Sequence, residues 1–253
     1  MSLKETSCEK EVAQTVHIRR LATQQELQDA TNLEAEIWGA GDPTPRSLLV
    51  VFSHHGGVVT GAYDGDRLVG VSLGFPGIDA VGVTYLHSHL LGVRPEYRRH
   101  RLGESLKRAQ WQFAEEKGLP YIGWTYDPLM APNAWFNLAV LGAEVRDVWE
   151  NVYGTLDDAI NGTMPTHRFW VVWNAKAPPR SPQGGGEHWR MDIPSNVAAL
   201  RRDNPEAARR QTEQFFQDSR RLWEGGWRIA GAGRDARGVW YDWVQEPGKD
   251  DDA

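Results

Sequence analysis

The sequence predicts a mixed α/β (α+β) domain followed by a smaller C-terminal extension. Strand and helix patterns succeed one another up to residue 174, in the order strand, two helices, three strands, helix, strand, helix and two strands. An apolar strand pattern that ends at Val93 leads through a basic loop into a helix with apolar residues at helical spacing. A chain of 253 residues has room for one sizeable core and an appendage.

Composition and charge narrow the class of protein. A hydrophobic content of 40% and a charged content of 25% are ordinary for a soluble globular protein. The net charge of −6 argues against nucleic acid or an anionic membrane as the main partner. The polar stretch at residues 1–14 contains neither a signal peptide nor a spanning segment, so we expect a cytoplasmic protein. The single cysteine, Cys8, excludes an intramolecular disulfide.

The first half of the main domain opens with a strand, two helices and a hairpin. A capping box, Thr23 with Glu26, starts the first helix, and Thr44-Pro45 starts the second. The residues predicted to face the core from the second helix are Leu48, Val51, Phe52 and His55. Asp64-Gly65-Asp66 is a hairpin turn between two strand patterns. The strands predicted here are Val16–Arg20, Val58–Tyr63 and Arg67–Phe75.

The second half alternates strands with helices. The predicted elements are a strand at Thr84–Val93, a helix from Leu102 to Lys117, a strand at Tyr121–Tyr126, a helix at about Asn133–Leu141, and strands at Val145–Tyr153 and His167–Asn174.

Beyond Asn174 the composition changes, and Ala177–Gly186 is rich in proline and glycine, as in a linker. A strand pattern at Trp189–Ile193, a long helix that begins at Asn204-Pro205 and a hairpin follow. The hairpin strands are Trp227–Ala232 and Gly238–Val244.

These changes predict four regions: a disordered N-terminus at 1–14, a main domain at 15–175, an extension at 176–245 and an acidic tail at 246–253. The extension is too small for an independent core, so we expect it to dock on the main domain or on a second subunit. Twelve tryptophans favour a buried aromatic interface, and we expect a homodimer.

The segment from His87 to Glu115 carries the candidate binding chemistry. A strand, a cationic turn and a helix N-terminus form a candidate phosphate-binding site. The N–H groups of the turn and the positive end of the helix dipole point toward the same position. Arg98, Arg99 and Arg101 add positive charge. Since the chain as a whole is acidic, this cluster indicates one local anionic cofactor.

Val93-x-Pro95-x-Tyr97-Arg98-x-x-Arg101-Leu102-Gly103-x-x-Leu106 resembles the acetyl-CoA-binding motif of the GCN5-related N-acetyltransferases (GNATs). In that family an Arg or Gln precedes two spaced glycines whose amides hold the pyrophosphate of coenzyme A. Arg98 and Gly103 fit, whereas Arg101 stands where the first glycine is usual. An arginine there can still offer its N–H, provided that its side chain points away.

The resemblance covers roughly residues 16–174 and implies the GNAT fold, with a central mixed sheet that splays between two parallel strands. It also implies acetyl-CoA as the cofactor, with its pantetheine arm pairing along the backbone near Leu91–Val93, where Gly92 would ease a bulge. The residues expected to contact the cofactor are Leu91, Gly92, Val93, Arg98, Arg99, His100, Arg101, Leu102, Gly103, Glu104, Ser105, Asn133 and Asn137. For Asn133, helix capping is the alternative, and Asn137 lies one turn on.

His87 and His89 are the candidate bases. Two residues apart on a strand, they point to the same face, and a neutral imidazole accepts a proton near neutral pH. The His-x-His pattern is similar to that of serotonin N-acetyltransferase, whose histidines at matching positions relay the substrate's proton. The alternative is that one or both are packed core histidines. No metal is expected, because no Cys or carboxylate set accompanies the pair.

The acid that protonates the departing thiolate differs from the one usual in the family. Many GNATs carry a Tyr in the helix that corresponds to Asn133–Leu141, and the matching position here is Leu138. Tyr126 and Asp127 follow a strand end, where catalytic groups of open sheets gather, so we include them as catalytic candidates.

The chain further resembles a subgroup of bacterial acetyltransferases whose substrates are undefined. The resemblance implies transfer of an acetyl group from acetyl-CoA to a small-molecule acceptor, which we expect to be an amine. The alternative is a regulatory or binding module that holds coenzyme A with little or no transfer, prompted by Arg101 and the absent Tyr.

Overall fold

The computed structural model describes residues 16–39, 43–98, 100–154, 164–177, 186–195 and 197–246. The predicted N-terminal segment with Cys8, most of the predicted linker, Arg99 and nearly all of the acidic tail lie outside the described residues. The chain divides into two compact units between Gly123 and Trp124. The predicted domain boundary near residue 176 stays a prediction.

The first unit is a sheet with helices, in the predicted order. Its elements are β1 (Val16–Arg20), α1 (Gln24–Trp38), α2 (Arg46–His54), β2 (Val58–Asp64), β3 (Arg67–Ile78), β4 (Thr84–Val93), α3 (Leu102–Glu116) and the first residues of β5 (Ile122–Tyr126). Strands β1 to β4 are antiparallel neighbours, and β5 pairs with β4 in parallel. The sheet is therefore mixed, which confirms the predicted fold class.

Local sequence signals explain where α1 and the hairpin begin. Thr23 accepts a hydrogen bond from the Glu26 N–H, and the Glu26 carboxylate accepts one from the Thr23 N–H, so the predicted capping box is present. Gly65, at φ +57°, makes the turn between β2 and β3. Buried leucines of α1, Leu27 and Leu33, pack in the core.

The predicted buried face of α2 was wrong except at Phe52, which packs against the core. Leu48 and Val51 are 41% and 49% exposed, whereas Leu49 is buried, and Val50 and Phe52 pack beside it. Five consecutive apolar residues, 48–52, offer several possible faces, so the position of the helix against the sheet decides which one is covered.

A β-bulge interrupts the pairing of β3 with β4. Leu73 lies opposite Leu90 and Gly74 opposite Ser88, so His89 has no partner residue on β3. The bulge was expected near Gly92, but Gly92 pairs in register with Val71.

Gly92 instead allows α1 to approach the sheet. A Cβ atom on Gly92 would overlap Cη2 of Trp38 and lie 2.9 Å from Cδ1 of Ile37. We therefore expect Gly92→Ala to destabilise the protein by about 1–3 kcal/mol through overpacking. Urea unfolding measures this change. Gly231→Ala, where a Cβ would meet nothing within 4 Å, is the matched control, and an equal loss in both variants would contradict this explanation.

The second unit begins with the end of β5 and contains two groups of strands. Its further elements are α4 (Ala131–Ala134), β6 (Glu144–Trp149), β7 (Arg168–Trp173), β8 (His188–Asp192), α5 (Val197–Asp203), α6 (Pro205–Glu224), β9 (Trp227–Asp235) and β10 (Gly238–Gln245). β7 lies between β5 and β6, and β10 lies between β8 and β9 in a separate three-stranded sheet. The sequence did not predict α5.

The predicted helix at 133–141 has two parts, because α4 continues as one π-helical turn, Trp135–Val140. In the C-terminal hairpin the turn is tighter than predicted, because β9 continues to Asp235 and pairs with β10 from Gly238 onward.

The C-terminal hairpin packs on β7 within this unit. Tyr241 and Trp243 of β10 are fully buried, and their rings lie 5.3 and 6.4 Å from the ring of Phe169. The Tyr241 hydroxyl donates to the Pro128 carbonyl at 2.8 Å. These contacts come from the same chain, so the hairpin needs no second subunit to be covered on this side. None of the described helices combines the length and the apolar character that a membrane span requires.

Candidate functional site

The first part of the loop between β4 and α3, residues 94–98, is anchored to the sheet. Arg94 donates from Nε to the Leu68 carbonyl at 3.0 Å, and the Tyr97 hydroxyl donates to Asp64 at 2.6 Å. The Arg98 Nε donates back to the Val93 carbonyl at 3.2 Å. These bonds hold residues 94–98 against β2, β3 and the end of β4.

Arg101 adopts the backbone conformation that glycine favours. It precedes α3 with φ 57° and ψ 15°, in the left-handed region. Its guanidinium turns back along the helix and donates to Glu104 at 2.8 and 3.0 Å, and the side chain is 80% exposed. The side chain therefore leaves the helix N-terminus open. This is the condition under which an arginine at this position can offer its backbone N–H to a ligand.

Backbone N–H groups are available at the start of α3. The first intrahelical bond runs from the Ser105 N–H to the Arg101 carbonyl. The N–H groups of Leu102, Gly103 and Glu104 precede that bond, and no acceptor among the described residues pairs with them. Together with the positive end of the helix dipole they form an anion-binding position.

The carboxylate beside this position is neutralised by its neighbours. Glu104 is 8% exposed and accepts hydrogen bonds from Arg101 and Arg108. Burial alone would raise the pKa of Glu104, but the bonds from Arg108 and Arg101 lower it further than burial raises it. The two arginines therefore compensate the negative charge of Glu104, which reduces its repulsion of an anion bound at the helix start.

The parallel pairing of β4 with β5 is short. It joins Leu86 to Ile122 and His87 to Gly123. Within the first unit, the β5 side of β4 is therefore without a paired strand from Ser88 to Val93, the stretch that contains the bulge and the expected pantetheine contacts. Backbone groups there are available to a ligand that takes the place of a strand.

His87 and His89 lie together among aromatic rings, as predicted. Their ring centroids are 6.4 Å apart, and the Phe75 ring lies 5.2 Å from His87 and 5.8 Å from His89. The Tyr85 ring lies 6.2 Å from the His87 ring. His87 is half-buried and His89, at the bulge, is exposed. The bulge thus brings one imidazole out to solvent beside a more enclosed one.

Both imidazoles are kept neutral. Burial lowers the pKa of His87 from 6.5 to about 4, with smaller contributions from His89 and Lys107. Burial by neighbouring atoms also lowers the pKa of His89, although the side chain keeps solvent contact. A neutral imidazole has a free lone pair, so both rings can accept a proton at neutral pH.

The lowered pKa of His87 has a consequence for stability. The unfolded chain binds a proton at the ordinary value of 6.5 and the folded chain only near 4, so the stabilisation is complete above 6.5 and is lost as the pH falls toward 4. We expect His87→Gln to flatten the decline of the unfolding free energy over this window by up to about 3 kcal/mol. Urea unfolding at several pH values measures it. The exposed His17 of β1 provides the control, and an equal flattening by His17→Gln would refute the assignment.

The sequence model of the acetyltransferase (GNAT) family matches residues 19–133. Those residues include the loop, the bulged strand and both histidines. Residues 19–133 form a GNAT acetyltransferase domain. No curated protein matches the chain closely enough to count as a relative.

Solved structures similar to this chain have low sequence identity to it. Arabidopsis thaliana NAA60, in complex with a bisubstrate analogue, aligns with a TM-score of 0.51 and 13% identity over 63% of this chain and 98% of its own. A chain of the NatC complex bound to Gag peptide and CoA aligns at 0.51 and 11% over 62% and 97%. The Escherichia coli ribosomal-protein-S18-alanine N-acetyltransferase aligns at 0.48 and 14% over 62% and 92%. The first two confirm the predicted GNAT fold.

Tyr126 and Asp127 make contacts with other side chains of the second unit. The Tyr126 hydroxyl donates to the Tyr241 hydroxyl at 3.2 Å, and burial raises the pKa of Tyr126 far above its ordinary value. Asp127 forms a buried ion pair with Arg201 at 2.7 Å and accepts the Leu129 N–H. A buried phenol of such high pKa is a poor proton donor, and these contacts favour a structural part for both residues.

The two asparagines differ in burial. Asn133 is exposed inside α4, and the residue that precedes the helix is Met130, so Asn133 is not its cap. Asn137 is buried in the π-helical turn, beside Leu138, which is also buried. The wider spacing of the π turn separates residues that an α-helix would align. Their predicted contact with the cofactor stays a prediction.

One buried cluster behind the histidines was missed. Lys107, Gln110 and Ser88 are 3%, 0% and 4% exposed, and Ser88 lies between the two histidines on β4. Lys107 and Gln110 are three residues apart on α3, so they share a helix face, a spacing visible in the sequence. Polar side chains at that spacing usually lie in solvent, so the pattern alone did not indicate burial. The described residues hold no group of three or more potential metal ligands.

Proposed function

We propose that the chain is an N-acetyltransferase that moves the acetyl group of acetyl-CoA directly to a small-molecule amine, with His89 and His87 as general bases. The observation that carries this proposal is the joint geometry of the first unit. An open helix N-terminus at Arg101–Glu104 and a bulged strand with two neutral imidazoles belong to one β4–loop–α3 segment.

The residues present fit coenzyme A. The N–H groups of Leu102, Gly103 and Glu104 would hold the diphosphate, since Arg101 takes a left-handed conformation that glycine favours and its guanidinium bonds to Glu104. The backbone of β4 from Leu91 to Val93 would pair with the pantetheine amides. Bound acetyl-CoA supplies an electrophilic thioester carbonyl.

The histidines would supply the base. The neutral amine nitrogen attacks the thioester carbonyl, the C–S bond breaks, and coenzyme A leaves as a thiolate that takes the bonding electron pair. An imidazole ring nitrogen would accept the amine's proton, which the thiolate then receives from the imidazolium or from water. His89 suits this step better than His87, because it is exposed and a base of pKa about 4 is weak. His87 stays neutral beside it and adds no opposing charge.

The acceptor and the assembly are the finer parts of the proposal. The acidic net charge of −6 favours a cationic amine over an anionic acceptor. We also propose that the protein is cytoplasmic and forms a homodimer. The dimer is supported by Trp189, which lies on the edge strand β8 and is 54% exposed. Light scattering on the purified protein tests the dimer.

Turnover with a panel of amines tests the proposed function. Purified protein with acetyl-CoA is expected to release coenzyme A thiol and to form an acetylamide with at least one small amine, identified by mass spectrometry. Acetylation of peptide N-termini alone would overturn the small-molecule assignment.

A coenzyme A-binding regulatory module is the second candidate. It is favoured by Leu138, which is buried where the family usually has a tyrosine, and by the Tyr126 hydroxyl, which bonds to Tyr241. Calorimetric binding of coenzyme A without thiol release for any amine or peptide would select this candidate.

A further inference from the structure

The strand that carries both histidines is held from behind by a buried lysine. The Lys107 Nζ donates to the Ser88 Oγ at 2.8 Å, and the Ser88 Oγ donates to the Gln110 Oε1 at 2.8 Å. Ser88 is the residue between His87 and His89 and directly precedes the bulge. These two bonds connect α3 to β4 next to the bulge. The first residues of the same helix form the anion-binding position.

A fold-only account does not explain this lysine. An ammonium group removed from water is destabilising by several kcal/mol, and a methionine or leucine would fill the same space between helix and sheet without that penalty. Burial lowers the pKa of Lys107 from 10.5 to about 7, so it is partly charged at neutral pH. A residue that weakens the fold next to the candidate bases indicates a role in the reaction.

The charge of Lys107 acts on one imidazole more than on the other. Burial is the main cause that lowers the pKa of His87, and the charges of His89 and Lys107 add to it, whereas burial is the cause for His89. Among the described residues of the first unit, titratable groups near His87 include His89 and Tyr85 on β4, and Tyr121, which stacks on Tyr85 and bonds to Asp79. β3 presents the uncharged Phe75. The lysine therefore disfavours a proton on the enclosed ring and leaves the exposed ring free to take it.

We propose that Lys107 is a positioning residue for acetyl transfer: through Ser88 it fixes β4 before the bulge, and its charge directs the amine's proton to His89 rather than to His87. This inference rests on the proposed function. It adds that the two histidines have different parts, and that a residue which contacts neither substrate separates them.

Lys107→Met tests the proposal, because methionine keeps the length of the side chain and removes the charge and the hydrogen bond. We expect kcat to fall by about ten-fold or more through misplacement of β4, with the acetyl-CoA KM changed less than roughly two-fold. In an NMR titration of labelled histidines, the pKa of His87 is expected to rise from about 4 while burial keeps it below its ordinary value, and the pKa of His89 is not expected to rise.

Three further variants separate the two effects. Lys107→Gln can keep a bond to Ser88 without the charge, so it should shift the His87 titration with a smaller loss of kcat. Ser88→Ala breaks the bond and keeps the charge, so it should lower kcat and leave the His87 titration close to wild type. Gln112→Met, on the exposed side of α3, should change neither.

An unchanged His87 titration in both Lys107 variants, or a kcat of Lys107→Met within roughly two-fold of wild type, would overturn the proposal. If Lys107→Met does not fold, Lys107→Gln and Ser88→Ala decide. The titration needs no transfer, so wild-type protein that acetylates no acceptor would refute the proposed function while the His87 shift still tests the effect of the charge. A further outcome is that kcat and coenzyme A affinity both fall in proportion to a lowered melting temperature. Lys107 would then have only a structural role, and the proposal would be overturned as well.

Discussion

His89→Ala is expected to lower kcat for acetyl transfer by about 10²-fold or more while coenzyme A binds nearly as tightly as before. The physical reason is that a positioned base contributes about 10²–10⁴-fold to a reaction that must remove a proton, and His89 is the exposed imidazole at the bulge. Steady-state kinetics with saturating amine measures kcat, and calorimetry measures coenzyme A binding. His17→Ala removes an exposed histidine from β1 and should leave both unchanged.

Arg98→Ala should show the opposite pattern. Its Nε bonds to the Val93 carbonyl, so the side chain supports the loop rather than the histidines. Its loss should weaken coenzyme A affinity more than it lowers kcat at saturation. Equal losses in both quantities for His89→Ala and Arg98→Ala would contradict the division between base and cofactor loop.

Arg201→Met is expected to destabilise the protein by about 3–5 kcal/mol, because it leaves the Asp127 carboxylate buried without its partner. The two side chains are 8% and 10% exposed and 2.7 Å apart. Guanidinium unfolding measures the loss. Arg202→Met is the matched control, since Arg202 is 74% exposed and pairs with the adjacent Asp203, so a change below about 0.5 kcal/mol is expected.

A second substitution separates a structural Asp127 from a catalytic one. Asp127→Asn combined with Arg201→Met removes the stranded charge and should restore part of the lost stability. Acetyl transfer at a temperature where the double variant is folded should then remain close to wild type. A kcat lowered by about 10²-fold in that folded variant would restore Asp127 as a catalytic residue.

Elements with strong local chemistry could be predicted from sequence alone. The capping box at Thr23, the Asp-Gly turn at Gly65 and the Asn204 cap of α6, whose side chain accepts the Ala207 N–H, all lie where the pattern placed them. Each depends on residues only a few positions apart. Strand β4 was likewise predicted with its observed bounds, because its apolar run is flanked by clear turn residues.

Predictions that depended on distant partners were less accurate. The buried face of α2, the π turn after α4 and the reason for Gly92 follow from what lies against each element, such as the Trp38 ring against β4. The contacts of the two candidate acids also depend on distant residues, and their predicted catalytic role stays a prediction. Tyr126 and Asp127 follow a strand end as expected, but their contacts are Tyr241 and Arg201, which lie more than 70 residues further along the chain.

The sequence by itself determined the mixed α/β fold, the basic loop before a helix and the two histidines two residues apart. These depend on local periodicity, and on a motif whose backbone geometry is confined to a few residues. Only the tertiary structure decided that Arg101 takes the glycine conformation, that the bulge falls at His89, and that Lys107 is buried behind Ser88. The reason is physical: the burial of a charge and the register of a strand depend on neighbours that the fold supplies, and no window of the sequence contains them.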